Sequence, residues 1–578
     1  MKTKLELTWF GKDARSKLEP RILLADAAFS YHANRRISGE DIFDNHLIHG
    51  DNLLALKALE ADFSGKIKCV YIDPPFNTKQ AFEHYDDGVE HSLWLSLMRD
   101  RLELISRLLS KDGSLFVHID DNELGYLIAI LDEILGRSNR VGVITFKQSS
   151  ASGPKAVNPG LVTTNNYILY YVKDKSVWKP NKVFVPTDRD DRYSKYIDGF
   201  ESGYKKWRLI GLKEAFLSHA KLIAWDDAKK KYLDKLEEKL SEFVLANAER
   251  VVRTARVAAK DVNESARGAL ARSGEFPGEV QCSPRDDKDD YYFLNGEQLI
   301  FYKSKTKVID GKRCTASPLT NLWDDLLSNN LHNEGGVSFP NGKKPESLIK
   351  RCLELSTEAG DLVLDSFGGS GTTAAVAHKM GRRWITVELG EHCISHIIPR
   401  LKRLIDGKDE SGITAAVGWQ GGGGFRYYRL APSLLQQDRW GNWVINKEYN
   451  AHMLAAAICK LEGFTYAPND AHYWQHGYST ELDFIYVTTQ TLNAEQLQAL
   501  SDEVGEGRSL LVCCAAYRGS ADRFANLTLK KIPKMILSKC EWGHDDYSLN
   551  VENLPMQQKP KVEPPRQGGL FGNGEEQA

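Results

Sequence analysis

Asp73, Pro74, Pro75 and Phe76 stand at the end of an apolar run, CVYID, and lead into a polar loop. Two consecutive prolines cannot extend a hydrogen-bonded ladder, so these residues should form a stiff turn where a buried strand stops. The stiffness has a chemical use. The Asp73 carboxylate and the Pro74 carbonyl are two acceptors at a fixed separation, suited to the two hydrogens of a conjugated primary amine. Accepting both draws the nitrogen toward a tetrahedral geometry and frees a lone pair otherwise delocalised into a ring. In-line attack by that nitrogen then needs positioning and fixed dipoles rather than a covalent enzyme intermediate. Phe76 offers a ring to stack on a flat heterocycle. A base in a duplex would have to be flipped out to reach it. The bland alternative is a proline-punctuated strand end with Asp73 as a helix cap.

A second group lies nearly 300 residues on: Asp365 at the end of LVLD, then Phe367, Gly368, Gly369, Ser370, Gly371, Thr372 and Thr373, then a helical pattern. Strand, glycine turn and helix place backbone amides at the carboxyl edge of a parallel sheet, where ligands bind. No lysine follows Gly371, which argues against a triphosphate loop, and a dinucleotide fingerprint is met only if its last glycine is relaxed to Ala374. S-adenosylmethionine is the third class. Asp365 can accept from its ammonium, the glycines permit close backbone approach, and Glu388, at the end of the next strand, suits ribose hydroxyls. A purely structural turn remains an alternative.

The elements that must position these groups read as α/β. LIHGDNLLALKAL is a strand running through Asp51 into a helix, and KIKCVYID is a second strand. HSLWLSLMRDRLELISRLLSKDG has helical periodicity, SLFVHID is a strand, LGYLIAILDEIL a helix, and VGVITFK and NYILYYVKD are further strands. From about Pro180 to Pro318 the chain turns polar, and WDDAKKKYLDKLEEKLSEFVLANAERVVRTARVAAK reads as one or two long charged helices. The α/β rhythm then resumes, which implies one domain carrying an insertion. We expect an N-terminal arm (1–46), a first, catalytic half (47–179), an inserted domain (180–318), a second, cofactor half (319–417), a C-terminal α/β domain (418–556) containing FRYYRL, NWVIN, LDFIYVTT and SLLVCCAAY, and a disordered tail (557–578).

Bulk properties narrow the classes. The 578 residues are too many for one compact core. With 42% hydrophobic and 27% charged residues the chain has ordinary globular composition. Its first residues lack a secretory apolar region and no run is long enough to span a membrane, so a cytoplasmic location is expected. The nine cysteines form no C-x-x-C pair, which argues against a disulfide framework or a zinc site, and no metal is expected. Cys513 and Cys514 read as small buried hydrophobes. A net charge of −2 gives no global cationic field, so nucleic acid could be held only by local patches.

CVYIDPPFNT and DSFGGSGTT resemble the catalytic and cofactor motifs of amino-methyltransferases, in the order of the permuted β group. With LIHGDNLLAL, EHYDDGVEHSLWLSLMRDRL, GSLFVHIDDNE and NLWDDL they make the chain similar, over about 1–405, to the Mod subunits of type III restriction-modification systems and their adenine-specific relatives. The resemblance implies a Rossmann-like S-adenosylmethionine-dependent methyltransferase fold with an inserted target-recognition domain. It implies catalysis by Asp73, Pro74, Pro75 and Phe76 and cofactor binding by Asp365, Phe367, Gly369, Ser370, Gly371, Thr372 and Glu388. It also puts Asp51 near the cofactor adenine and Lys344, in FPNGKKPESLI, near its carboxylate, although Asp51 also suits a helix cap and Lys344 a surface position. Phe76 replaces a commoner tyrosine.

The implied reaction is methylation of adenine N6 in duplex DNA, with N4 of cytosine as the alternative because both use such a turn. A non-catalytic specificity subunit for a nuclease is the other alternative. Implied partners are double-stranded DNA, a second copy of the chain and a helicase-nuclease restriction subunit. Gln567–Phe571 resembles a peptide that docks on a replication sliding clamp.

Overall fold

The computed structural model describes residues 6–14, 16–75, 87–150, 160–286, 288–326, 331–339 and 343–543. Phe76 and the Gln567–Phe571 peptide lie outside them. The described residues form two compact units, Asn181–Thr320 and the remainder of the chain.

The larger unit is built on an 11-stranded sheet. In chain order its strands are β1 (Leu23–Ala25), β2 (Tyr31–His32), β3 (Asn45–His49), β4 (Ile67–Ile72), β5 (Leu109–Ile119), β6 (Arg140–Lys147), β7 (Asn165–Val172), β8 (Leu322–Trp323), β9 (Leu362–Asp365), β10 (Arg383–Glu388) and β11 (Gly424–Leu430). Their order across the sheet is β1-β11-β3-β10-β9-β4-β5-β7-β6-β8, with β2 also on β11. From β11 to β5 all neighbours are parallel. Helices α1 (Asn52–Phe63), α2 (Asp87–Leu108), α3 (Leu124–Leu131), α4 (Glu346–Ser356), α5 (Thr372–Lys379) and α6 (Ile398–Ile405) accompany them. β4 is apolar almost throughout because a central parallel strand is covered on both faces; Val70, Tyr71 and Ile72 are buried. On one side Leu54, Leu56, Leu59, Met98, Leu102 and Ile105 of α1 and α2 join Ile72, Leu115 and Val117 in one core.

Three expectations need correction. β7 enters antiparallel between β5 and β6, so the parallel order that the helix-strand rhythm implied stops at β5. FRYYRL is not part of the C-terminal domain. It is β11, parallel to β3, and its alternating Phe425 and Tyr427 are buried, so the boundary at 418 falls before the sheet is complete. Residues 1–46 are likewise not a separate arm, because β1 and β2 pair with β11 and β3 begins at Asn45.

Beyond β11 a five-stranded sheet has the order Thr465–Tyr466, Gly477–Tyr478, Asp483–Val487, Ser509–Cys514 and Leu527–Lys531. Strand alternation sends Cys513 and Cys514 into different apolar clusters. Among the described residues no helix is long and apolar enough to cross a membrane, and no group of His, Cys, Asp or Glu is arranged to hold a metal.

The Asn181–Thr320 unit carries a six-stranded antiparallel sheet in the order Arg208–Gly211, Lys195–Asp198, Val251–Ala255, Glu297–Phe301, Tyr291–Leu294 and Gln281–Ser283. Of the stretch read as one or two long charged helices, two are present and the end differs. Trp225–Tyr232 and Leu236–Ala246 are helical, Leu233 lies at φ +50° between them, and VVRTA is a strand. Its β-branched valines are buried in the sheet, so tertiary packing overrides the helical charge pattern that precedes them.

Candidate active site

β3, β10, β9 and β4 are parallel neighbours, so their carboxyl ends open on the same edge of the sheet. Leu364 pairs with Val70, and carrying the register one step further puts Asp365 beside Tyr71, two residues before Asp73. Two segments nearly 300 residues apart in sequence thereby meet. They border a cleft with about 290 Å³ of open space, lined by Tyr71, Asp73, Lys344, Ile349, Asp365, Phe367, Gly368, Gly369, Ser370, Thr372 and Thr373.

The Asp73–Pro75 turn is fastened from behind. The buried Trp94 of α2 donates its indole N–H to the Pro75 carbonyl at 3.0 Å. Asp73 Oδ2 lies 2.7 Å from Lys344 Nζ. Burial raises the Asp73 carboxyl above its ordinary range, against the opposing pull of the Lys344 charge. Below it, Tyr71 shares a 3.0 Å hydrogen bond with His118 Nδ1, and the far ring nitrogen of His118 faces Asn166 at 3.2 Å. Burial and the Lys344 charge push His118 well below its usual range, so this ring is neutral and is not a proton donor to the cleft.

Asp365 is 4% exposed, and its Oδ1 accepts from the Phe367 amide at 2.9 Å. Burial pushes its carboxyl up to about 7, and the negative charges of Asp73 and Glu388 add to the effect. Such a group gains most from a cation brought to it. Glu388 turns toward the same loop: Oε2 accepts from Gly369 N at 2.7 Å, Oε1 accepts from Gly390 N at 2.8 Å, and His392 Nε2 stands 3.0 Å from Oε1. Gly371 occupies the left-handed region at φ +75° as the cap of α5.

Gly368 is constrained by space. A Cβ there would stand 2.7 Å from Thr386 Cγ2, 3.1 Å from the Val387 carbonyl oxygen and 3.3 Å from Ile397 Cδ1, and of these only the Ile397 chain end can yield easily. Gly368→Ala is expected to destabilise the protein by about 1–3 kcal/mol, read as a lower denaturant midpoint, because overpacking a buried turn forces backbone movement. An unchanged midpoint would show that the turn relaxes freely. The sequence had left this glycine without a role.

Asp51 and Lys344 differ from the rest. Asp51 caps α1, accepting from Leu54 N at 3.0 Å, and its other oxygen lies 3.3 Å from Arg101. It does not line the cleft but reaches the glycine turn through its neighbour, since Asn52 donates to the Ser366 carbonyl at 2.8 Å. Lys344 does line the cleft, on the Asp73 side. Pro74 is buried and Pro75 is exposed.

One supporting group was missed altogether. Arg400, fully buried, donates to the Ser370 carbonyl at 3.2 Å, to Thr372 Oγ1 at 2.9 Å and to Glu346 at 2.7 Å. Lys379 pairs with Glu346 and Asp409, each at 2.7 Å. Two cations balance two carboxylates, as buried charges require, and they lock the segment just after Lys344 to the glycine turn. The available signal was Arg400 standing within the apolar stripe of Ile397, Leu401 and Leu404, where a charge must have a buried partner.

A family model described as DNA methylase matches residues 67–399. Among curated proteins, the chain is 34% identical over 420 residues to the probable type III restriction-modification enzyme HindVI Mod subunit of Haemophilus influenzae, covering 67% of this chain and 54% of that protein. It is 26% identical over 451 residues to the type III restriction-modification enzyme EcoP15I Mod subunit of Escherichia coli, covering 68% and 65% respectively. The chain therefore spans between about half and two thirds of the length of these relatives. Among solved structures it aligns with the cytosine-N4-specific PvuII DNA methyltransferase at 14% identity, covering 64% of this chain and 90% of that one, with a TM-score of 0.32, too low to carry an argument.

Proposed function

Because the chain belongs to the DNA methylase family, we propose that the cleft between the Asp73 and Asp365 strand ends transfers a methyl group from S-adenosylmethionine to the N6 amino group of a flipped-out adenine in duplex DNA. The observation that carries this reading is that Asp73 and Asp365, so distant in sequence, line one cleft at the ends of adjacent parallel strands.

The residues present fit the cofactor. A buried carboxylate pushed up to about 7 is the partner an ammonium needs, and the glycine turn lets the backbone approach without side chains in the way. Bound there, S-adenosylmethionine supplies a methyl carbon on a positive sulfur and leaves as a thioether when the carbon–sulfur bond pair returns to sulfur. Asp365 holds the ammonium, and Phe367, Gly369, Ser370, Gly371 and Thr372 form the bed. Glu388 fixes Gly369 and keeps lone pairs for the ribose, while Asp51 supports the adenine end through the cap of α1. Asp73 and the Pro74 carbonyl accept the two amino hydrogens, the nitrogen bonds to carbon, and one hydrogen leaves as a proton to solvent. Phe76 stacks on the base.

The titration of Asp365 gives a measurable consequence. Below its value of about 7 the carboxyl must give up a proton before accepting an ammonium. Cofactor affinity is expected to weaken about tenfold per pH unit on the acid side, and to weaken again above about pH 8, where the ligand's own ammonium titrates. Calorimetric Kd values across the range check this, and a flat acid limb would remove Asp365 from the ammonium site.

Asp rather than Ser at position 73 and similarity to two Mod subunits favour adenine. Digesting methylated DNA to nucleosides tests the choice: N6-methyladenine is expected, and N4-methylcytosine as sole product would overturn it. The Asn181–Thr320 unit is the target-recognition domain in this reading, and a second copy of the chain and a helicase-nuclease subunit are the partners, in the cytoplasm. The tail peptide is proposed as a sliding-clamp contact, for which equal clamp retention by full-length and tail-deleted protein would be fatal.

A further inference from the structure

The cleft places three carboxylates, Asp73, Asp365 and Glu388, around the glycine turn, and Lys344 is the ammonium that lines it with them. Lys344 Nζ lies 2.7 Å from Asp73 Oδ2, and its side chain is 8% exposed. Its position is not left to a flexible loop. Pro345 and Glu346 follow at once, and the Glu346 carboxylate is gripped by Arg400 and Lys379 and accepts from the Ile413 amide at 3.1 Å. The cation is thus delivered to Asp73 by a segment tied into the core. Asp73 Oδ1, by contrast, is enclosed and has no hydrogen-bond partner among the described residues. One carboxylate oxygen is held and the other stands ready to accept.

We propose that Lys344 is a positioning residue for Asp73 rather than a ligand of the cofactor carboxylate: it grips Oδ2, keeps the carboxyl ionised, and thereby presents Oδ1 to an amino hydrogen of the target base. The inference rests on the methyl-transfer reading above and departs from the role that family resemblance gave this lysine. The chemistry requires the ionised form. A protonated Asp73 would donate to the nitrogen lone pair that must attack carbon, blocking the reaction instead of assisting it. Burial alone favours that protonated form, and the adjacent ammonium opposes it. The cofactor carboxylate is left to the backbone amides at the start of α5.

The test uses full-length protein, labelled S-adenosylmethionine and duplex DNA, with Lys344→Met, Lys344→Gln and Lys344→Arg. Loss of the charge in Met and Gln is expected to move the acid limb of the kcat profile up by about one pH unit or more, with activity regained toward alkaline pH. Calorimetric Kd for S-adenosylmethionine should stay within about threefold of wild type, and Arg should restore the limb. Gln keeps a hydrogen bond to Asp73 and carries the test if Met does not fold. An unmoved limb overturns the inference, whether Kd is unchanged or weakened about tenfold or more, and the latter would return Lys344 to the cofactor. Wild-type protein that binds the cofactor yet methylates no DNA would instead defeat the methyl-transfer reading, and the inference with it.

Discussion

Asp73→Asn is expected to lower kcat by about 10²–10³-fold while leaving DNA binding and cofactor affinity near wild type, because it removes one preorganised acceptor from the reacting amine. The amide is isosteric, but its nitrogen would present hydrogens to the amino group or to Lys344, which already holds Oδ2 at 2.7 Å. Single-turnover methyl transfer measures the chemical step, and a filter or polarisation assay measures DNA retention. The same variant separates an enzyme from a DNA-specificity module. If wild-type and variant proteins bind DNA alike and both transfer nothing, catalysis at this corner is excluded.

The second large effect is at Asp365, where two consequences run in opposite directions. Asp365→Asn is expected to weaken S-adenosylmethionine binding by about 10–100-fold, the range of a hydrogen bond to a charged partner. Its effect on the unliganded protein has the other sign. The folded carboxyl is pushed up to about 7 from the ordinary value of 3.8. The folded state therefore binds more protons than the unfolded chain between those values, and stability falls as pH rises through them. At pH 8 wild-type Asp365 is a buried charge without its cation, so the asparagine variant without cofactor should be at least as stable, while at pH 4 the advantage should vanish. Added cofactor should raise the melting temperature of wild type more than that of the variant. A variant that loses stability at pH 8 and keeps cofactor affinity would show that Asp365 serves the fold and not the ligand.

These two carboxylates were legible because each sits where a strong local rule breaks a strand: two prolines after Ile72, a glycine turn after Asp365. The helix-strand rhythm around them was legible for the same reason, since apolar spacing determines which face is buried. What escaped was non-local. Nothing in FRYYRL announces that it lies beside Asn45–His49 across nearly 400 residues, so it was assigned to the wrong domain. VVRTA follows a helix-like charge pattern and becomes a strand only because a sheet is there to receive its valines. Lys344 illustrates the limit within the site. Sequence places it beside Pro345 ahead of a helix, and only the packed sheet brings the Asp73 carboxylate within 2.7 Å of it. Asp51 is intermediate: its suitability as a helix cap was visible, and the cap is present.

The cluster of Glu346, Arg400, Lys379 and Asp409 is buried and stands outside the cleft lining, yet it joins the segment carrying Lys344 to the turn carrying Ser370 and Thr372. It explains why the two halves of the site, separated in sequence by the inserted unit, keep one geometry.

A crystal structure of the full chain with sinefungin, an unreactive analogue carrying an amine in place of the methyl-bearing sulfonium, tests the central claim most directly. The analogue's α-ammonium should lie within about 3 Å of an Asp365 oxygen, with its methyl-equivalent amine turned toward Asp73 and the Pro74 carbonyl. Finding that amine directed away from the Asp73 turn, or the analogue bound elsewhere on the protein, would contradict it.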